Sequence, residues 1–319
     1  RKSRPHFFTC LLLSYRFMSQ PFFITETLFQ NFFVVDEKQK IGFLFNLAAG
    51  IVNIIFDTIF IYGNNWGVAG AAVATMMGHM VGSIGPIIYF LKHKNDQITL
   101  VKTKIDMRII GRCCFNGASD FIFNISANIV GIIYNIQLLK LLGQDGVTAY
   151  GVIMYVSFIC ISIFIGLIMG MAPVVGYNYG AKNHDELHNV IKRTLLIIFV
   201  FSIVMLGGQI LLTNPLAKLF CHSDELIRLS AKALKIYAFC YLMAGINIFI
   251  TGSFTALNNG LISGLISLFR CLIFPIICVK LFSIWLGPDG IWFSIVIAEG
   301  LSFILSVILL LVNKKKYHY

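Results

Sequence analysis

Between Asn116 and Asn183 the chain reads NGASDFIFNISANIVGIIYNIQLLKLLGQDGVTAYGVIMYVSFICISIFIGLIMGMAPVVGYNYGAKN, two consecutive apolar runs of bilayer-crossing length. No other feature narrows the possible folds as much. A helix needs about 20 apolar residues to cross a hydrocarbon layer. Backbone placed in lipid must satisfy its polar groups within a helix or a closed barrel. The first run also carries a row of polar side chains. Asn116, Asp120, Asn124 and Asn128 recur every four residues, which keeps them near one helix face, and Gly131 and Asn135 fall close to the same face. A polar row is costly against lipid, so this one is expected to face a protein interior or a water-filled cavity. It points to a pathway for something polar through the membrane.

The rest of the chain agrees. Hydrophobic residues make up 58% and charged residues 12% of its 319 positions, with a mean hydropathy of +0.83. A soluble protein carries roughly twice that charged share. The net charge of +11 does not signal nucleic acid. Its basic residues fall in short clusters between apolar runs, as the positive-inside rule expects, and form no single basic face. Eight cysteines show neither CxxC nor Cys/His metal spacing and read as small hydrophobes. No cofactor and no metal is expected.

Apolar periodicity predicts an all-α integral membrane protein with about nine spans, near 13–35, 42–62, 67–91, 109–142, 147–176, 192–212, 236–257, 261–286 and 291–312. A charged connector lies at 214–235, and the longest polar linker, 92–108, marks the domain boundary. Placing the terminal KKKYHY in the cytoplasm puts Lys182, Lys192, Arg193, the 92–108 linker and Lys38/Lys40 there too. The N-terminal RKSR is the misfit. An internal repeat accounts for it. Residues 67–94 and 287–316 share a register about 220 residues apart, and Gly42 corresponds to Gly264. Spans one to three then match spans seven to nine, and the partners of spans four to six are expected roughly 110 residues upstream. The expected organisation is a partial three-helix N-lobe (1–91), a cytoplasmic inter-lobe loop (92–108) and a six-helix C-lobe (109–319).

Six segments in order carry a family resemblance: NIIFDTIF (53–60), GVAGAAVAT (67–75), NGASDFIFNIS (116–126), APVVGYNYGAKN (172–183), SFTALNNG (253–260) and GPDGIWFSIVIAE (287–299). The chain resembles the multidrug and toxic compound extrusion (MATE) antiporters over essentially its whole length, the bacterial multidrug export branch most of all. The resemblance implies a two-lobe bundle of six helices per lobe, here an N-terminally truncated copy lacking the first three. It implies export of organic cations and drugs in exchange for inward Na⁺ or H⁺, a monomer, and a bacterial inner membrane. A lipid-linked oligosaccharide flippase of the same superfamily is the alternative. The Asp120 face has no Lys or Arg to greet a phosphate-bearing lipid, which disfavours it. A membrane-embedded enzyme lacks its Asp-rich or HExxH motif.

Within that frame Asp120 is the expected coupling carboxylate, with Asn116, Asn124 and Asn128 supplying neutral oxygens. Occupancy by an ion or proton would remove local negative charge and loosen a bound organic cation. Asn247, Thr251, Thr255 and Asn258 form a second polar row at spacings of four, four and three. Intramembrane Arg270 and Glu299 are expected to pair, and Glu26 is expected at an N-lobe cavity. His79 reads as a lone packed polar side chain. Tyr150, Met154 and Tyr155 are the aromatic and soft contacts expected for flat cations. Pro275 is expected to bend its span.

Overall fold

The computed structural model describes residues 4–93 and 106–317, with side chains from 17 to 93 and from 106 to 313. The expected inter-lobe loop and both terminal basic clusters fall largely outside those residues. Every element among them is helical. The chain divides into two compact units, Arg1–Ile105 and Asp106–Tyr319.

In the first unit α1 (Arg4–Val35) and α2 (Gln39–Asp57) both pack on α3 (Gly67–Lys92). A π-helical turn, Thr58–Gly63, extends α2. The reason they can approach lies in α3, whose buried face reads Gly70, Ala74, Gly78, Gly82, one small residue per turn. Helices in lipid have no hydrophobic drive toward one another, so close backbone contact through small residues does that work. Gly78 lies against the Ala49 carbonyl of α2, and Gly82 against the Glu26 carboxyl of α1. At one end Phe29, Phe33 and Phe90 form a fully buried aromatic cluster, with Phe33 and Phe90 centroids 4.9 Å apart.

The second unit opens with α4 (Met107–Asn116), capped by the Asp106 carboxylate accepting from the Arg108 amide at 2.8 Å. Then α5 runs from Ala118 to Gly180. Sequence periodicity places two separate spans at 109–142 and 147–176. The structure instead separates α4 at Gly117 and runs the remainder as one helical path with a single break, Gly143 (φ 65°, ψ −152°). That conformation is open in practice only to glycine, so one residue re-aims the chain without a loop. Each arm exceeds the roughly 20 residues of a crossing.

Helix α6 (His184–Phe220) is N-capped by Asn183, with Asp185 and Glu186 in its first turn. It is longer than the span expected at 192–212, and it carries Pro215 within it. The charged connector resolves into α7 (Asp224–Ala238), capped by Ser223 and bent by 49° from α8 (Tyr241–Ala256). α9 (Gly260–Leu268) passes through a second π-helical turn, Phe269–Ile273, into α10 (Phe274–Trp285), and α11 (Gly287–Tyr317) closes the unit. Pro275 sits in the first turn of α10, directly after that π turn, where a missing N–H is tolerated.

Six described helices are long and apolar enough to cross a membrane, seven with the bent α7–α8 pair taken as one span. The 63-residue α5 counts once among them although Gly143 gives it two arms. The core of the second unit forms where both arms of α5 meet α8, α9 and α11, around Leu138, Ile153, Phe164, Phe249 and Trp292. Outward the surface is apolar, with Leu211 and Ile284 among the most exposed side chains, as a lipid-facing surface requires.

Candidate functional site

The second unit holds an intramembrane polar centre built from three elements. Arg270, on the π turn, donates from Nε to both carboxylate oxygens of Glu299 on α11 at 3.1 Å each. Its Nη2 donates to Oε1 at 3.0 Å. Asn247 of α8 donates from Nδ2 to Glu299 Oε2 at 2.8 Å and to the Glu299 backbone carbonyl at 3.2 Å. Arg270 is 8% exposed, so neither charge could persist there unpaired. The two oxygens and the fork match, which is the arrangement a guanidinium favours. Beside the pair lies a cavity of about 90 Å³, walled also by Tyr134, Tyr150, Met154 and Tyr237. It has room for several waters and the polar partners to hold them. Tyr134 is hydrogen-bonded to Ser294 (2.9 Å) and stacks on Tyr150 at 5.6 Å. Tyr155 departs from that group: it is exposed and stacks on Phe220.

The first polar row behaves differently along its length. Asn116 donates to the Thr255 carbonyl at 3.2 Å, tying α4 to the end of α8, while its Oδ1 is buried without a partner. Asp120, Asn124 and Asn128 are exposed on α5. Asn124 donates to the Asp120 carbonyl (2.8 Å) and Asn128 to the Asn124 carbonyl (2.9 Å). Both amide nitrogens are thereby tethered to the helix, and both Oδ1 atoms are left as acceptors along the helix face that carries Asp120.

The second row divides. Thr251 and Thr255 return their hydroxyl protons to the carbonyls four residues back, and Asn247 turns to Glu299. Asn258 is not part of the row. It lies past the end of α8 in a left-handed conformation (φ 58°) and is exposed, a position Asn tolerates better than most residues. Three-residue spacing carried the periodicity one step beyond the helix that supported it.

In the first unit Glu26 is buried and paired. His79 Nδ1 lies 2.7 Å from Glu26 Oε2, so His79 is not the lone polar side chain its sequence context suggests. Phe23 meets the imidazole edge-on at 5.2 Å. The ring forms part of the wall of an open cleft of about 390 Å³ with Ser19, Gln20 and Thr75. Glu26 itself sits behind that wall, pressed against Gly82.

The family model described as MatE matches residues 121–279, a stretch that begins just after Asp120 and takes in the Arg270 turn. The chain belongs to the MATE family. Among MATE relatives, multidrug export protein MepA of Staphylococcus saprophyticus is 28% identical over 297 residues, covering 92% of this chain and 64% of the relative. MepA of Staphylococcus aureus is 25% identical over 293 residues, with 91% and 64% covered. The chain thus spans just under two thirds of the length of these relatives. A crystal structure of a MATE protein in complex with MaL6 superposes with a TM-score of 0.88 at 19% identity, over 96% of this chain and 70% of that one. A MOP superfamily transporter from Pyrococcus furiosus superposes with a TM-score of 0.83 at 17% identity, over 98% and 78%. The shared fold is that of two-lobe helical membrane transporters.

Within this MATE chain, sequence reasoning missed two polar features. His79 as the partner of Glu26 needed the crossing of α1 on α3. The buried chain in which Tyr241 donates to Gln209 (2.6 Å) and Gln209 to the Leu234 carbonyl (2.7 Å) had one signal, a lone Gln in an apolar run.

Proposed function

We propose that this chain belongs to a cation-coupled exporter of organic cations and drugs, working by alternating access with Na⁺ or H⁺ as the coupling ion. One observation carries the reading. Along an exposed face of α5 the Asp120 carboxylate stands with the free Oδ1 atoms of Asn124 and Asn128, their nitrogens tethered to the helix. A carboxylate flanked by neutral oxygens is a cation-binding array, and no Lys or Arg shares the face to pre-empt it. When an ion or a proton occupies it, the local negative charge disappears and a bound organic cation loses its counter-charge. That exchange is the elementary step of antiport. In this scheme the first unit is part of the N-lobe, the second is the C-lobe, the protein acts as a monomer, and the C-terminus is cytoplasmic.

Dye efflux from proteoliposomes containing the protein, driven separately by a Na⁺ gradient and by a pH gradient, tests it. Asp120→Asn is expected to abolish the gradient-driven component while leaving thermal stability unchanged, because the side chain is exposed. Full gradient-driven efflux by Asp120→Asn overturns the assignment.

A further inference from the structure

The polar half of α6 ends abruptly. HDELHNVIKR is charged, and from Thr194 to Thr213 no ionisable residue follows. Lys192 and Arg193 therefore stand where the helix passes from headgroups into hydrocarbon, the depth of a lipid phosphate. Both side chains are exposed. No ion pair among the described residues engages either of them. Nearby acids, Asp185 and Glu186, lie about two turns back toward the helix start, and Glu186 is directed at Asn189.

Directly below the two cations opens a groove of about 560 Å³ between α6 and α8. Asn189, Lys192 and Arg193 form its head, and Leu196, Phe199 and Ile246 its floor. Leu196 and Phe199 are respectively 64% and 50% exposed. Head and floor ask for different chemistry from one occupant. Two unneutralised cations and a side-chain amide suit a phosphodiester, which an arginine can meet with paired N–H groups. The floor suits a hydrocarbon chain. A soluble anion would use the head alone, and a neutral lipid the floor alone.

We propose that this groove binds an anionic glycerophospholipid. The phosphate sits between Lys192 and Arg193, and Asn189 reaches the headgroup. One acyl chain lies along Leu196, Phe199 and Ile246. Basic pockets between membrane helices are favoured sites for anionic headgroups. A second groove supplies an internal control. At the α7–α8 bend, a groove of about 440 Å³ walled by Phe239, Met243, Phe293 and other apolar side chains carries a single charged residue, Lys235. It lacks the paired head and so has no means of strong selection between lipids.

The test is native mass spectrometry of the purified protein with equimolar phosphatidylglycerol and phosphatidylcholine of identical acyl chains. The wild-type protein is expected to retain phosphatidylglycerol preferentially. K192Q/R193Q lowers that preference by about fivefold for each charge removed. K235Q leaves it unchanged, L196N/F199N weakens retention of both lipids, and excess glycerol 3-phosphate displaces neither. Three results would each overturn the proposal: an unchanged preference in K192Q/R193Q, an equal fall in K235Q, or displacement of the lipid by glycerol 3-phosphate. Lipid binding is read directly, so the outcome does not depend on whether the protein exports drugs.

Discussion

Removing either member of the Arg270–Glu299 pair should destabilise the second unit far more than removing both. In Arg270→Leu the Glu299 carboxylate loses three hydrogen bonds and keeps the Asn247 amide alone. In Glu299→Leu a guanidinium that is 8% exposed is left with no counter-charge. Breaking a buried pair from one side costs about 3–5 kcal/mol. In a cooperative unit of this size each kcal/mol lowers the melting temperature by about 2–4 °C. Each single variant should therefore melt roughly 6–20 °C below wild type. The double variant Arg270→Leu/Glu299→Leu carries no stranded charge, and apolar replacement of a buried pair is often neutral. Asn247 keeps a partner in it, since one of its two bonds runs to the backbone carbonyl of residue 299 at 3.2 Å. Its melting temperature should return to within a few degrees of wild type. Thermal unfolding of the four proteins in one detergent, followed by a thiol-reactive dye on the buried cysteines, provides the cycle. Additive losses in the double variant, or single variants within about 2 °C of wild type, would refute the view that mutual neutralisation holds this centre together.

Substitutions at two further positions probe close packing and pairing elsewhere. A Cβ at Gly260 would lie 2.7 Å from the Phe115 carbonyl oxygen and 2.8 Å from the Asn116 Cα. Because both are backbone, Gly260→Ala should part α9 from α4 and cost about 1–3 kcal/mol in the same melting assay. In the first unit His79→Leu removes the hydrogen-bond partner of buried Glu26, with an expected loss of about 1–3 kcal/mol; His79→Gln, which can still donate, should recover part of it, and equal melting of the two variants would argue against the bond.

Much of the architecture was legible because lipid imposes strong rules. Bilayer-length apolar runs and the basic clusters between spans can both be read from residue spacing alone. The departures have local causes. Gly143 lets α5 turn without a polar loop, so nothing in the composition marks where one arm ends and the next begins as a separate helix. Asn258 matched a helical period by coincidence, and only the backbone shows that the helix had ended. Periodicity places Asp120, Asn124 and Asn128 on one face, yet does not show that the two asparagine nitrogens are tied back to the helix. Glu26 and His79 are 53 residues apart in sequence, and pairing at that range depends on how α1 crosses α3, which residue spacing does not encode. Arg270 and Glu299 were easier to associate, because two opposite charges in apolar runs each need a partner.

The internal repeat links these pairs. α3 and α11 both begin at a glycine in the left-handed region, Gly67 (φ 55°) and Gly287 (φ 59°), about 220 residues apart. The same displacement carries His79 onto Glu299, and within one residue it carries Glu26 onto Asn247. Glu26 bonds His79 between α1 and α3, and Asn247 bonds Glu299 between α8 and α11. Each unit therefore keeps one polar contact at the corresponding crossing, with the carboxylate moved from one helix of the pair to the other. The difference lies in the counter-group. Glu299 is held by three hydrogen bonds from Arg270, whose guanidinium does not give up its proton in proteins. Glu26 faces the imidazole of His79, which lines an open cleft. A repeat inherited with equivalent chemistry would have kept both pairs alike. The counter-group is a buried guanidinium in the second unit and a cleft-lining imidazole in the first, so the two crossings share a position and not a chemistry.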